Sequence, residues 1–203
     1  MFILLLYKPA DSQIDNTGPA SRDQQYVSTY LTNELLPGLY NGLQNNEPFD
    51  LLITEQGIND IIADCNWPRR SDSTELYLSE VRFTQDAVVL TGTAQLKGVA
   101  FHLTILVEPK LDSKGFLQLQ VTKFKVGAMN MTMLFRIIAK KRYQQYEINE
   151  ADKDDWQIKV AASLLNEEPF DPLFDIQDRR VRVRQISMVP DQLTVRLVTI
   201  QND

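Results

Sequence analysis

The stretch VVLTGTAQLKGVAFHLTILV, residues 88–107, decides the fold class. Val88, Leu90, Gly92, Ala94 and Leu96 alternate with Val89, Thr91, Thr93, Gln95 and Lys97. After Gly98, Val99, Phe101, Leu103, Ile105 and Val107 alternate with Ala100, His102, Thr104, Leu106 and Glu108. Successive side chains of a strand point to opposite faces. A period of two over this length therefore predicts two antiparallel strands, one face buried and one largely wet, turning at Lys97-Gly98.

Strands continue on both sides. Leu76, Leu78, Val81 and Phe83 precede the pair across Gln85-Asp86, and Leu117, Leu119 and Val121 follow it across Asp112-Ser113-Lys114-Gly115. Short connections make this a meander. Two segments change phase: the apolar set moves from Val121 to Phe124 and Val126, and from Val181 and Val183 to Ile186 and Met188. One extra residue between in-phase halves is the mark of a β-bulge, which bends and twists a strand. Long bent strands wrap around a core instead of lying flat.

Helical spacing appears elsewhere. Val27, Leu31, Leu35, Leu39 and Leu43 predict a helix over 23–44, kinked or divided into two shorter helices at Pro37-Gly38. Phe49 to Ile53 reads as a short strand, after which Thr54 caps a helix through Cys65 that buries Ile58, Ile61 and Ile62. A helix from Met129 to about Tyr146 is apolar almost all round in its first half, which means deep burial or a face that meets lipid. Asn149 is placed to cap the next helix, whose stripe is Trp156, Val160, Ala161, Leu164 and Leu165. A hairpin, Val181 to Met188 and Leu193 to Val198, turns at Pro190-Asp191. The segments Leu43–Leu52 and Leu164–Leu173 share a Glu-Pro-Phe-Asp core, which is either a chance recurrence of a helix-exit motif or a repeated helix-to-strand corner.

The expected class is α+β, in two parts. Residues 1–22 are an N-terminal apolar stub and polar linker, and residues 23–203 are a single domain. Phe2 to Leu6 is far shorter than the roughly 20 apolar residues a spanning helix needs. It reads either as a short buried strand or disordered end, or as the outer stub of a membrane anchor, with Tyr7 and Lys8 at the interface.

Composition limits the chemistry. The net charge of −6 argues against general nucleic-acid binding, which needs clustered Lys and Arg. One cysteine, Cys65, and one histidine, His102, leave too few ligands for the usual zinc sites. His102 has no Ser, Asp or Cys beside it in sequence and reads as a surface residue, and Cys65 reads as a small apolar one. The acidic run Glu150, Asp152, Asp154 and Asp155 lacks calcium-loop spacing and fits a helix N-terminus. Glycine-rich phosphate loops are absent, so no nucleotide cofactor is expected. Two basic clusters remain: Lys140-Lys141-Arg142, and a ladder of Arg179, Arg180, Arg182 and Arg184 with Arg196 across the hairpin. The ladder is either a solvated, edge-protecting face or a patch for anionic headgroups or an acidic partner.

The order of three motifs resembles a known family. Thr54-Glu-Gln-Gly-Ile-Asn59 precedes the meander, Lys125-Val-Gly-Ala-Met-Asn-Met131 runs into the apolar helix, and Arg180-Val-Arg-Val-Arg-Gln-Ile186 leads to a Leu193-Thr-Val-Arg-Leu197 hairpin. Over roughly residues 47–200 this is similar to bacterial membrane-anchored or periplasmic proteins with a tubular lipid-binding (TULIP-like) fold, such as the YpmS, YceB and LmeA-type groups. Met129-Asn130-Met131 departs from the Leu-Pro stretch that those relatives tend to carry. The resemblance implies a long, curved antiparallel meander wrapped around or packed on long helices, a half-barrel with an apolar groove. Val99, Phe101, Leu103, Ile105, Leu117 and Leu119 of the sheet and Leu134, Ile137 and Ile138 of the helix are then the expected ligand-lining residues.

The function expected is non-enzymatic binding of a lipid or other apolar ligand, at the extracytoplasmic side of a membrane. A protein scaffold using the sheet face and arginine ladder is the alternative. An enzyme would need His102 within hydrogen-bond reach of an acidic residue in a cleft.

Overall fold

A computed structural model of the chain describes residues 28–45, 47–65, 69–71, 74–96, 98–145, 155–176 and 179–200. The expected stub and linker, the first turn of the helix at 23–27 and the cap at Asn149 lie outside these residues. So do Glu150, Asp152 and Asp154 of the acidic run.

The meander folds as its alternation predicts. Strands β3 (Thr74–Phe83), β4 (Val88–Leu96), β5 (Val99–Leu111) and β6 (Leu117–Val126) pair in sequence order, with short β2 (Arg69–Ser71) and β7 (Met129–Asn130) at the two edges. Among the described residues this antiparallel sheet has six strands.

A second antiparallel sheet accompanies it, in the order β1-β10-β9-β8: β1 (Phe49–Thr54), β10 (Gln192–Ile200), β9 (Arg179–Val189) and β8 (Leu173–Ile176). One continuous curved meander was expected, and the chain instead builds two sheets. The predicted hairpin β9–β10 is present, but it takes its outer partner from the far end of the sequence, Phe49 facing Leu197 and Ile53 facing Leu193.

Both phase changes are bulges. Val107 faces Val121 while Leu106 faces Lys123, which leaves Thr122 as the extra residue. Leu197 faces Val183 while Arg196 faces Gln185, which leaves Arg184 unpaired. A third bulge at Ser79 lies between the pairs Leu78–Gly92 and Glu80–Thr91. Gly92 is needed there, because a Cβ would lie 2.4 Å from the Tyr77 carbonyl oxygen.

The helices are shorter than expected, 9 to 14 residues each. A π-helical turn, Leu31–Leu35, runs into α1 (Leu36–Gln44). The interruption predicted at Pro37 appears as this π-helical turn. Proline has no N–H to donate and its ring crowds the preceding turn, and widening the helix just before it relieves both. Helix α2 (Glu55–Asp64) starts as predicted, with the Thr54 hydroxyl accepting from the Gly57 N–H at 3.1 Å. Helix α3 spans Thr132–Gln145, since Met129 and Asn130 are spent pairing with β6. Helix α4 (Trp156–Asn166) is capped by Asp155, whose carboxylate accepts from the Gln157 N–H.

The two sheets meet through apolar side chains. Val81, Phe83 and Val88 of the large sheet share a cluster with Ile53, with Leu51, Leu193 and Val195 of the small sheet, and with Ile58, Ile61 and Ile62 of α2. Half-buried Cys65 packs on that cluster. Beside it, Val107, Leu117, Leu119 and Val121 pack on Val160 of α4. The third cluster joins Leu43 of α1 to Val181, Val183 and Leu197. Polar groups fix the register between layers: the Asn59 amide donates to the Val81 carbonyl at 2.8 Å and accepts from the Val81 N–H at 2.7 Å, like a neighbouring strand.

Candidate apolar docking site

Cross-strand pairs arrange the inner face of the large sheet in rows. The first row, Phe83, Val88, Val107 and Val121, is 5, 3, 2 and 3% exposed. Then come Val81, Leu90, Ile105 and Phe124, and after them Leu78, Gly92, Leu103 and Val126, mostly half-buried. The last rows are Leu76, Ala94 and Phe101, then Leu96 and Val99, with Leu76 41%, Phe101 38%, Leu96 41% and Val99 55% exposed. The face keeps its apolar pattern to the end of the sheet while its cover stops partway. Opposite residues stand about 5 Å apart, so the uncovered rows form one continuous surface.

Helix α3 borders this face and is held largely by polar contacts. The Thr132 hydroxyl accepts from the Phe124 N–H at 2.9 Å, and the Met131 N–H donates to the Phe124 carbonyl at 2.8 Å. Phe135 stacks on Phe124 with ring centres 4.6 Å apart. The Arg136 guanidinium donates to the Val121 carbonyl at 3.0 Å and pairs with Glu167 at 3.4 Å. Ala139 is buried, and one turn further the Tyr143 hydroxyl donates to Glu168 at 3.4 Å. Burial, and then the neighbouring Glu168 charge and this bond, push the Tyr143 hydroxyl above its ordinary pKa.

Residues 132, 135, 136, 139 and 143 follow helical spacing and form the held stripe. The opposite stripe is apolar and open to water: Met133 71%, Leu134 47%, Ile137 64% and Ile138 51% exposed. Of the two sequence readings of this helix, deep burial is the one the structure does not adopt.

The expected lining residues therefore separate. Leu117 and Leu119 are core residues, packed with Val107, Val121 and Val160. Leu103 and Ile105 are half-buried, Val99 and Phe101 lie on the open rows, and Leu134, Ile137 and Ile138 stand on the outer stripe of α3. Leu76, Leu96, Met129 and Met133 join them at the surface. For Leu76 and Leu96 the signal was already in the alternation, since they continue the same inner face. A cleft of about 260 Å³ lies between α3 and α4, bordered by Tyr143, Ile158, Ala162 and Phe170.

The arginine ladder is largely neutralised. Arg180 pairs with Asp175 at 3.2 Å, Arg182 with Asp171 at 2.7 Å and Arg196 with Asp50 at 3.5 Å. Asp50 and Asp171 occupy the same place in the two Glu-Pro-Phe-Asp corners, so each corner ends in an ion pair with the small sheet. Arg184, the bulge residue, is exposed. The His102 ring is exposed and lies 3.5 Å from the Thr93 hydroxyl. No cluster of three or more His, Cys, Asp or Glu able to hold a metal occurs among the described residues. Among them, too, no helix is long and apolar enough to cross a membrane.

No family model, curated protein or solved structure matches the chain.

Proposed function

We propose that this protein is a non-enzymatic binder of a lipid or other apolar ligand at a membrane, and that the acyl portion of the ligand sits on the open rows of the large sheet. The observation that carries this reading is the inner face itself, which runs uninterrupted from a sealed end at Val107 to an uncovered end at Val99 and Phe101. Apolar surface left in water is unfavourable by about 25 cal/mol per Å², so a patch of this continuity favours an apolar occupant. On this reading the large sheet is one wall of the TULIP-like half-barrel that the motif order resembles. Its mouth is the β4–β5 end, with Leu76, Phe101, Leu96 and Val99 as the contact residues. Leu117 and Leu119 lie at the sealed end and shape the groove's floor without touching ligand. The extracytoplasmic membrane location follows from the resemblance and belongs to the same proposal.

A fluorescent single-chain fatty acid tests it. Saturable uptake by the full chain, displaced by unlabelled lipid and weakened at least tenfold by Phe101→Asp, is expected. Absence of saturable uptake, together with native mass spectra of detergent-free protein free of lipid, overturns it.

The runner-up is a protein scaffold. It is favoured by the filled interior around Leu117 and Leu119, and disfavoured by the acidic partners already on Arg180, Arg182 and Arg196.

A further inference from the structure

The outer stripe of α3 is a second surface, independent of the sheet mouth, and the segment that carries it holds charge of one sign, its carboxylate neighbours Glu167 and Glu168 meeting the helix on the held side. Residues 116–146 hold Lys123, Lys125, Arg136, Lys140, Lys141 and Arg142 and no Asp or Glu, within a chain whose net charge is −6. Arg136 is consumed by the Val121 carbonyl and Glu167. Lys140, Lys141 and Arg142 are exposed, and among the described residues none of them makes an ion pair. At 100° per residue Lys141 continues the line of Leu134, Ile137 and Ile138, with Lys140 and Arg142 on either side. Two apolar turns therefore lead into one cationic turn along a single water-facing side.

We propose that this stripe docks α3 flat on a bilayer containing anionic lipid, extending the reading above from the ligand to the surface it is drawn from. Met133, Leu134, Ile137 and Ile138 enter the boundary between headgroups and acyl chains. Lys140, Lys141 and Arg142 stay at the level of the headgroups and meet their negative charge. A convex helix side with adjoining apolar and basic turns is suited to that boundary. The helix dipole explains a cation in the last turn, but not the apolar turns before it. A second copy is a poorer occupant, because a parallel two-fold contact through this stripe sets the three cations against their own kind and an antiparallel one sets them against the other copy's apolar turns.

Flotation of the full chain with vesicles separates the possibilities. Vesicles of phosphatidylcholine alone are compared with vesicles in which part is replaced by phosphatidylglycerol, at low and high salt. Binding at least tenfold tighter to the anionic vesicles, and weakened by salt, is expected. The triple change K140Q/K141Q/R142Q is expected to cut that binding roughly a hundredfold. The pair I137D/I138D is expected to abolish it while leaving the circular dichroism spectrum unchanged. Equal binding to both vesicle types overturns the headgroup assignment and leaves the sheet-mouth reading standing. Unaltered flotation of I137D/I138D overturns the stripe. Failure to float, with a concentration-dependent dimer that I137D/I138D dissolves, overturns the bilayer in favour of a second copy. Vesicle binding without fatty-acid uptake leaves this proposal standing and overturns the sheet mouth alone.

Discussion

Along one strand, β5, the inner face passes from 2% exposure at Val107 to 55% at Val99. The residue type is the same at both ends and the pleat never changes phase between them. What differs is what lies above. Val107 is covered by the small sheet and α4, through Ile186, Val160 and Leu164, whereas Val99 extends past the reach of either. An alternating sequence thus specifies which face is apolar but not how much of it the fold covers. The uncovered remainder is where binding is to be sought.

Substitutions at the two ends test this difference. Leu117→Ala, at the sealed end, is expected to cost about 2–5 kcal/mol, since a fully buried leucine leaves a cavity that its neighbours cannot refill. Urea unfolding measures this, and a loss under about 1 kcal/mol would mean the sealed end is looser than its burial implies. Ser163→Ala comes next. The buried Ser163 hydroxyl accepts from the Leu119 N–H at 2.7 Å, and removing it strands that donor at a cost of about 1–3 kcal/mol. Val99→Ala, at the open end, is expected to change stability by less than about 0.5 kcal/mol while weakening fatty-acid uptake. A large stability loss there would place a hidden cover on the open rows.

The smallest effect is a dependence on pH. The folded Tyr143 hydroxyl titrates above its unfolded value of 10.0, so the folded state holds this proton more tightly. Its contribution is fully present below pH 10 and is lost as pH rises through the folded value. The urea midpoint of Tyr143→Phe should therefore converge toward that of the unaltered chain above pH 10, and parallel curves would remove Glu168 and burial from the account.

Local pattern made much of this readable. Parity alone placed one bulge between Val121 and Phe124 and another between Val183 and Ile186, because one extra residue inverts every side chain beyond it, and the pairing fixes them at Thr122 and Arg184. The same inversion between Leu78 and Val81 marks the bulge at Ser79, though a run of only two residues on each side conceals it. The Thr54 cap was equally legible, being a contact over three residues. The pairing of β1 with β10 was not, as it joins residues almost 150 positions apart and leaves no trace in either segment. The pairing of Asp50 with Arg196 was hidden for the same reason, and that of Asp171 with Arg182, only 11 positions apart, because it depends on how β8 is laid beside β9. For the candidate site, the apolar residues were visible and their exposure was not. A helix apolar on all sides has the same composition whether a protein core or a bilayer receives it.

The outer edge of β6, which the short β7 covers only at Lys125 and Val126, has a consequence for how this protein can change. Its backbone groups are taken in turn by Phe170, by the Ser163 hydroxyl, by Arg136 and by Thr132, so another chain has little left to pair with. Because α3 is fastened through that edge, the fold asks little of Met133, Leu134, Ile137 or Ile138. Selection is free to retune those four for a different surface without renegotiating the stability of the sheet beneath them.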